Sequence, residues 1–365
     1  MLRAQNVKPV NLAFAHGSVP RTLDINGLFL QKKAFIFTLF TYNNASKKVM
    51  RQTPKTLLIF CLAIILAPYF FFHLKGWGGQ PSSFGIRPSI LAGTWYPGNP
   101  DQLAHTVRSF LSNANFPPTN GTLKAIIVPH AGYRYSGQIA AYAYRLLEPR
   151  KFKRIILVGP SHRIPFRGVS VNLQSGYQTP LGIVKVDVKT AREILKADPA
   201  VHFYKDVHRA EHSLEIQLPF LQTVLKDFSI VPILMGTQDL DTCKMLSNIL
   251  TKLMPSLKDT LLVASSDLSH YHGYSDAKRL DSHFIKLVGE MNPEGLYEAL
   301  RTGECEACGG GPVVSIMLTC RALGARKVVV LKSANSGDVT GEKDRVVGYM
   351  AGAIFTSSGR DPHPK

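Results

Sequence analysis

Three apolar runs of this 365-residue chain end, within a few residues, in a histidine. Ile126-Ile-Val-Pro-His130 is the first, Ile156-Leu-Val-Gly-Pro-Ser-His162 the second and Leu262-Val-Ala-Ser-Ser-Asp-Leu-Ser-His270 the third. Imidazole binds metals and carries protons near neutral pH. In an open parallel sheet, residues just past the carboxyl ends of the strands converge on the ligand site. One histidine after a strand is more often structural, but three in equivalent positions point to a single metal-binding pocket.

Other segments offer rival chemistry. His208-Arg-Ala-Glu-His212 fits the H-x-x-E-H pattern of inverted zinc peptidases. On one continuous helix it would set both histidines on one face with Glu211 as base, although nearby Pro219 disturbs such a helix. Cys305-Glu-Ala-Cys308 is one C-x-x-C without a second pair, a poor structural zinc signature but a fair candidate for a disulfide in an oxidising compartment. Gly309-Gly-Gly311 lacks the Lys-Ser/Thr of a phosphate loop and reads as a tight turn presenting Cys308. Cys243 and Cys320 fall on predicted helices and Cys61 in an apolar run, where buried free thiols are common.

The elements that must position these groups are short β-branched runs separated by helical periodicity. Ala125–Val128, Arg154–Val158, Ser229–Leu234, Leu261–Ala264 and Lys327–Leu331 are apolar on both faces, as in strands buried between helical layers. Asn99-Pro100 predicts a capped helix start, followed by Leu103, Val107, Phe110 and Leu111 on one face. Leu214, Leu218, Leu221 and Leu225 form a second stripe, which Pro219 should kink, and Pro312 opens a third helix. Strands alternating with helices predict an α/β fold, a mainly parallel central sheet covered by helices on both faces.

Six segments, in order, resemble the motif set of the Memo family: Ala92-Gly-Thr-Trp-Tyr96, Val128-Pro-His-Ala-Gly-Tyr133, Gly159-Pro-Ser-His162, Glu211-His-Ser-Leu-Glu215, Ser265-Ser-Asp-Leu-Ser-His270 and Cys308-Gly-Gly-Gly-Pro312. The likeness spans residues 86–356. It implies a fold similar to the class III extradiol ring-cleavage dioxygenases, which open catechols on a non-haem iron. It also implies metal ligation by His130, His162 and Cys308, with Asp267 and His270 lining the pocket. Such oxygenases normally offer two histidines and one carboxylate, so a cysteine makes the site softer and suits copper or zinc as well as iron. His270 is then the candidate base toward a small phenolic ligand. Asp267 has two readings, orienting or ligating on one side and capping the loop after the strand on the other. A non-catalytic module that binds a metal or a peptide is the alternative to an oxidising enzyme.

Lys and Arg exceed Asp and Glu by 18, which would suggest nucleic acid or an anionic membrane as partner. Residues 1–75 hold ten Lys/Arg against Asp24 alone, so half of the excess lies there. The rest is spread over 290 residues without a basic run, which argues against nucleic acid. No charge interrupts Thr56 to Leu74, a run long enough to span a bilayer, for which roughly 17–25 residues suffice. Lys47, Lys48, Arg51 and Lys55 precede it and only Lys75 closely follows, which predicts a single-pass membrane protein with the N-terminus cytoplasmic and the large domain outside. A cleaved signal peptide is the rival, though no small-x-small site follows cleanly. The expected organisation is therefore a basic segment over 1–55 whose true start could be Met50, a transmembrane helix over 56–74, a linker over 75–85, the α/β domain over 86–356 and a disordered tail over 357–365.

Overall fold

In the computed structural model, which describes residues 85–356, four of the five apolar runs form the middle of one sheet. The strands are β1 (Ile86–Arg87), β2 (Thr122–Val128), β3 (Arg154–Pro160), β4 (Val169–Val171), β5 (Gly176–Thr179), β6 (Gly182–Val186), β7 (Val201–His202), β8 (Ser229–Met235), β9 (Thr260–Ser265), β10 (His270–His272), β11 (Ala325–Asn335) and β12 (Val346–Thr356). Their order is β1-β5-β6-β8-β3-β9-β2-β12-β10, with β11 also on β12 and β4 on β8. The neighbours from β6 to β2 are parallel, whereas β12 runs antiparallel to β2, β10 and β11, as does β4 to β8. The sheet is thus mixed, parallel at its centre, with antiparallel pairs on both flanks, β5 with β6 on one and β12 with its neighbours on the other. Lys327–Leu331 belongs to the β12 flank: β11 pairs only with β12, and its residues Val328 to Leu331 are half-buried rather than enclosed.

The helices are α1 (Pro100–Ser112), α2 (Gln138–Arg145), α3 (Val188–Ala197), α4 (Lys205–Ala210), α5 (Leu218–Val224), α6 (Leu240–Leu253), α7 (Tyr274–Gly289), α8 (Pro293–Thr302), α9 (Gly310–Ala322) and α10 (Ser336–Thr340). Side chains alternate across a strand, so each central strand feeds two cores. Ile126, Val128, Ile155, Leu157, Leu261 and Val263 face α1, α2 and α5. Ala125, Ile127, Ile156, Val158, Leu262 and Ala264 face α3, α6, α7, α8 and α9. That double burial is why these runs carry no polar alternation.

Local chemistry sets the helix starts. Asn99 caps α1, its side chain accepting from Gln102 N–H, and Pro100 sits in the first turn. Pro219 does not kink a longer helix. A 3-10 turn over Glu215–Gln217 comes first, and the proline occupies the opening turn of α5, where its missing N–H costs nothing.

The predicted segment 1–55, membrane helix 56–74 and tail 357–365 lie outside the described residues, as does all but the last residue of the linker 75–85. Among the described residues no helix is long and apolar enough to cross a membrane.

Candidate metal centre

His130, His162 and His212 each offer a ligand atom within 4.8 Å of the others. His130 and His162 come from the loops after β2 and β3, the two parallel strands that flank β9. His212 comes from the segment after α4. The rings of His130 and His162 stand edge-on at 5.1 Å between centroids, His162 and His212 stack at 4.4 Å, and Trp95 lies against His212 at 4.6 Å. His130 is buried and His212 nearly so, while His162 is the exposed member.

The hydrogen bonds fix which ring nitrogen is free. Ser265 Oγ donates its proton to the Ser213 carbonyl at 2.7 Å and accepts from Gln217 Nε2 at 2.9 Å. Its contact with His130 Nδ1, 3.0 Å away, must therefore be one in which the ring donates. His130 Nε2 is left with its lone pair directed into the pocket. The same holds for His162, whose Nδ1 lies 2.9 Å from Glu211 Oε1. His270 Nδ1 donates to the Leu268 carbonyl at 2.7 Å, so its Nε2 also keeps a lone pair. His212 Nδ1 is buried and lies 3.1 Å from Glu211 Oε1, close enough for a charge contact but outside hydrogen-bond geometry.

Cys308 lies at the rim of this cluster. Its Sγ is 3.0 Å from His130 Nε2 but does not join the three-way grouping of the histidines. Burial pushes its thiol well up, with the Asp267 carboxyl adding to the effect, so without a metal the sulfur holds its proton and donates to His130. Cys305, three residues earlier, is a free thiol packed in the core beneath α8 and α9, and Cys308 is also free. The turn between Cys308 and α9 is held by Gln238, which donates to the Cys308 carbonyl at 2.9 Å and accepts from Gly311 N–H at 2.7 Å.

Asp267 does cap a loop, though the loop after β2 rather than its own. Its Oδ1 accepts from His130 N–H at 2.7 Å and Ala131 N–H at 3.3 Å, which orients His130, and its Oδ2 lies 4.0 Å from His130 Nε2. Burial raises this carboxyl to about 7, against the opposing pull of those two N–H groups. His270 is half-buried at the start of β10, next to Tyr271, whose φ of 63° is rare for a residue with a side chain. Burial lowers the His270 pKa, and positive charge on His162 would lower it further.

The H-x-x-E-H reading fails on geometry. α4 ends at Ala210, and Glu211 is extended at φ −90° and ψ 139°, so His208 and His212 do not share a helix face. His208 is buried elsewhere, with Nε2 3.0 Å from Ser170 Oγ and Nδ1 3.2 Å from Tyr177 Oη. The break in the helix is what lets Glu211-His-Ser-Leu-Glu215 serve two regions. Glu211 faces the His162 loop. Glu215, wholly buried, pairs with Arg87 at 2.5 Å and accepts from Ser89 Oγ at 2.6 Å, Tyr96 Oη at 2.7 Å and Leu91 N–H at 3.1 Å. That network fastens residues 87–96, and with them Trp95, beside the site.

The family profile described as Memo-like protein matches residues 87–353. The chain belongs to the Memo family. A MEMO1 family protein of Nitrosopumilus maritimus is 35% identical over 271 residues, covering 73% of this chain and 98% of the relative. Another, from Methanocaldococcus jannaschii, is 36% identical over 284 residues, covering 74% and 99%. The crystal structure of uncharacterized protein JW3007 from Escherichia coli K12 aligns at a TM-score of 0.43 and 11% identity over 63% of this chain and 99% of that one, too distant to support an argument.

Within this Memo fold the six motifs all border one site or hold its walls. Glycine in Gly159-Pro-Ser-His162 is required because a Cβ there would lie 2.7 Å from Ser213 Oγ and 2.9 Å from Leu214 Cδ2. Three of the expected residues, His130, His162 and Cys308, meet at the pocket, with Asp267 and His270 beside them. His212 completes the histidine cluster; the sequence hinted at it through the Glu-His-Ser-Leu-Glu motif and through the H-x-x-E-H pattern, which paired it with the wrong histidine. The chain can supply three imidazoles, with a thiol and a carboxyl beside them, a donor set that fits a borderline or soft transition metal.

Proposed function

We propose that this domain is a metal centre for iron or copper, held by His130, His162 and His212, that acts on a small phenolic ligand. The observation that carries the reading is the approach of three imidazoles, each offering a ligand atom within 4.8 Å of the others. Zinc is compatible with the same donors. Cys308, whose Sγ is 3.0 Å from His130 Nε2, then stands beside the three donors, whereas the family resemblance implies it as a ligand in its own right. A bound metal would supply Lewis acidity and, for iron or copper, one-electron chemistry.

The residues around the centre divide the remaining work. His270 is held with its Nε2 lone pair free and its pKa below the ordinary histidine value, so at neutral pH it can accept the proton of a phenol. Asp267 keeps His130 in place through backbone N–H groups. A cavity of about 570 Å³ opens on the far side of Cys308 and His270, lined also by Gln238 and Tyr297. His130, His162 and His212 do not line it, so His270 and Cys308 are what would connect a ligand there to the centre. The anchor expected over residues 56–74 would hold this centre on the outer side of a membrane, a topology that protease protection in vesicles would test.

Elemental analysis of reduced protein purified without added metal tests the reading, with about one equivalent of iron or copper expected. No uptake of either metal on reconstitution would refute it. A second reading is favoured by the absence of a carboxylate from the histidine cluster among the described residues: a metal-handling or peptide-binding module without oxidation. Oxygen consumption by the loaded protein with catechols would select the enzyme. Silence across a broad phenol panel would select the module.

A further inference from the structure

We infer that Glu211 is a positioning residue that, from behind His162, sets the ring of that ligand and places a negative charge against it. The inference rests on the three-histidine reading above. Glu211 is buried and gathers four donors that all belong to the metal pocket. Oε1 accepts from His162 Nδ1 at 2.9 Å, from His212 N–H at 2.8 Å and from Ser213 N–H at 2.9 Å, and Oε2 accepts from His162 N–H at 2.5 Å. Its own carbonyl is held by Arg87 Nη2 at 2.6 Å.

The Nδ1 hydrogen bonds of His130 and His162 go to different kinds of acceptor, while His212 Nδ1 is 3.1 Å from Glu211 Oε1 without hydrogen-bond geometry. His130 leans on the neutral Ser265 hydroxyl, and His162 leans on a carboxylate. A charged acceptor makes a stronger hydrogen bond and raises the electron density of the imidazole, so Nε2 of His162 becomes the more basic donor. An iron site of two histidines and a carboxylate places its negative charge on a ligand atom. Here the nearest committed carboxylate is one imidazole further out. Asp267 does not fill this role, because its Oδ1 is taken by the backbone N–H groups of His130 and Ala131 and it accepts no hydrogen bond from a ligand ring. Glu211 also fixes geometry: one carboxylate sets the ring of His162 and the backbone on which His212 stands.

The test uses the full chain under reducing conditions, with Co²⁺ and iron as probes. Glu211→Gln should bind Co²⁺ about 10- to 100-fold more weakly than wild type, the usual loss for an outer partner of a metal-bound histidine. The amide would also turn an N–H toward the His162 N–H, so affinity alone mixes charge with fit. The Fe(III)/Fe(II) potential separates them. Removing a negative charge near the metal should move it upward, a shift that a purely structural residue would not give. Equal affinity and equal potential in Glu211→Gln would overturn the inference while leaving the three-histidine centre intact. Wild-type protein that takes up neither metal would overturn both. Should the variant fail to fold, ¹⁵N-histidine NMR of zinc-loaded wild type decides instead. His162 protonated on Nδ1 and metal-bound through Nε2 is expected, and binding through Nδ1 would overturn the inference.

Discussion

At the residue scale, the chemistry of the pocket depends on two buried carboxylates, Glu211 behind His162 and Glu215 in the wall. Glu215 shows what that wall requires. It is wholly buried with Arg87, and a buried pair gives little net stability but is costly to break from one side. Glu215→Ala strands the Arg87 guanidinium and several backbone donors, and should lower stability by about 3–5 kcal/mol. In a domain of this size that is a fall in Tm on the order of 10 °C. Thermal melts of the metal-free protein would show it, and a change of under about 1 kcal/mol would mean that residues 87–96 are held by other means. His208, which the sequence offered as a zinc ligand, has a structural role with its own pH signature. Burial, with the Arg87 charge adding to it, lowers its pKa to about 3 from the ordinary 6.5. The unfolded chain then binds a proton below pH 6.5 that the folded chain refuses. The stability His208 contributes is therefore complete above pH 6.5 and is lost as pH falls toward 3, by up to about 1.4 kcal/mol per unit. Urea midpoints of metal-free protein should drop between pH 7 and 5, less steeply in His208→Gln. Parallel slopes in the two proteins would contradict this account of His208.

At the scale of elements, the parallel centre of the sheet was legible because β2, β3, β8 and β9 are buried on both faces and carry no polar alternation. The long strand β12 was not, since Gly348 and Gly352 interrupt its apolar run. Tertiary context also decided α4: nothing local in His208-Arg-Ala-Glu-His212 forbids a longer helix, but the four donors around the Glu211 carboxylate favour the extended turn. The site was legible to the same degree. Strand ends located His130 and His162, while His212 lies between elements, where no periodicity marks it. The turn at Gly309 offers a test of how rigidly these pieces fit. A Cβ there would press on the Ser265 carbonyl and lie 2.8 Å from Ser266 Cβ, at a strand end that cannot retreat. Gly309→Ala should push the turn outward and carry Cys308 away from His130. Thiol-specific labelling of Cys308 in the metal-free protein should then accelerate several-fold, whereas an unchanged rate would show that the loop absorbs the methyl.

At the scale of the whole molecule, two helical layers clamp a sheet whose β2 and β3 ends deliver histidines to one edge, and the 87–96 segment closes that edge through Glu215. The basic excess of the chain finds no role in this design, since half of it precedes the described residues. The central claim is that three histidines, and not the cysteine, define the metal centre. The most direct measurement is metal content by elemental analysis after reconstitution with iron and separately with copper, comparing wild type, His212→Ala and Cys308→Ser. The account predicts about one equivalent in wild type, most of it lost in His212→Ala and most of it kept in Cys308→Ser. Full retention in His212→Ala together with loss in Cys308→Ser would contradict it.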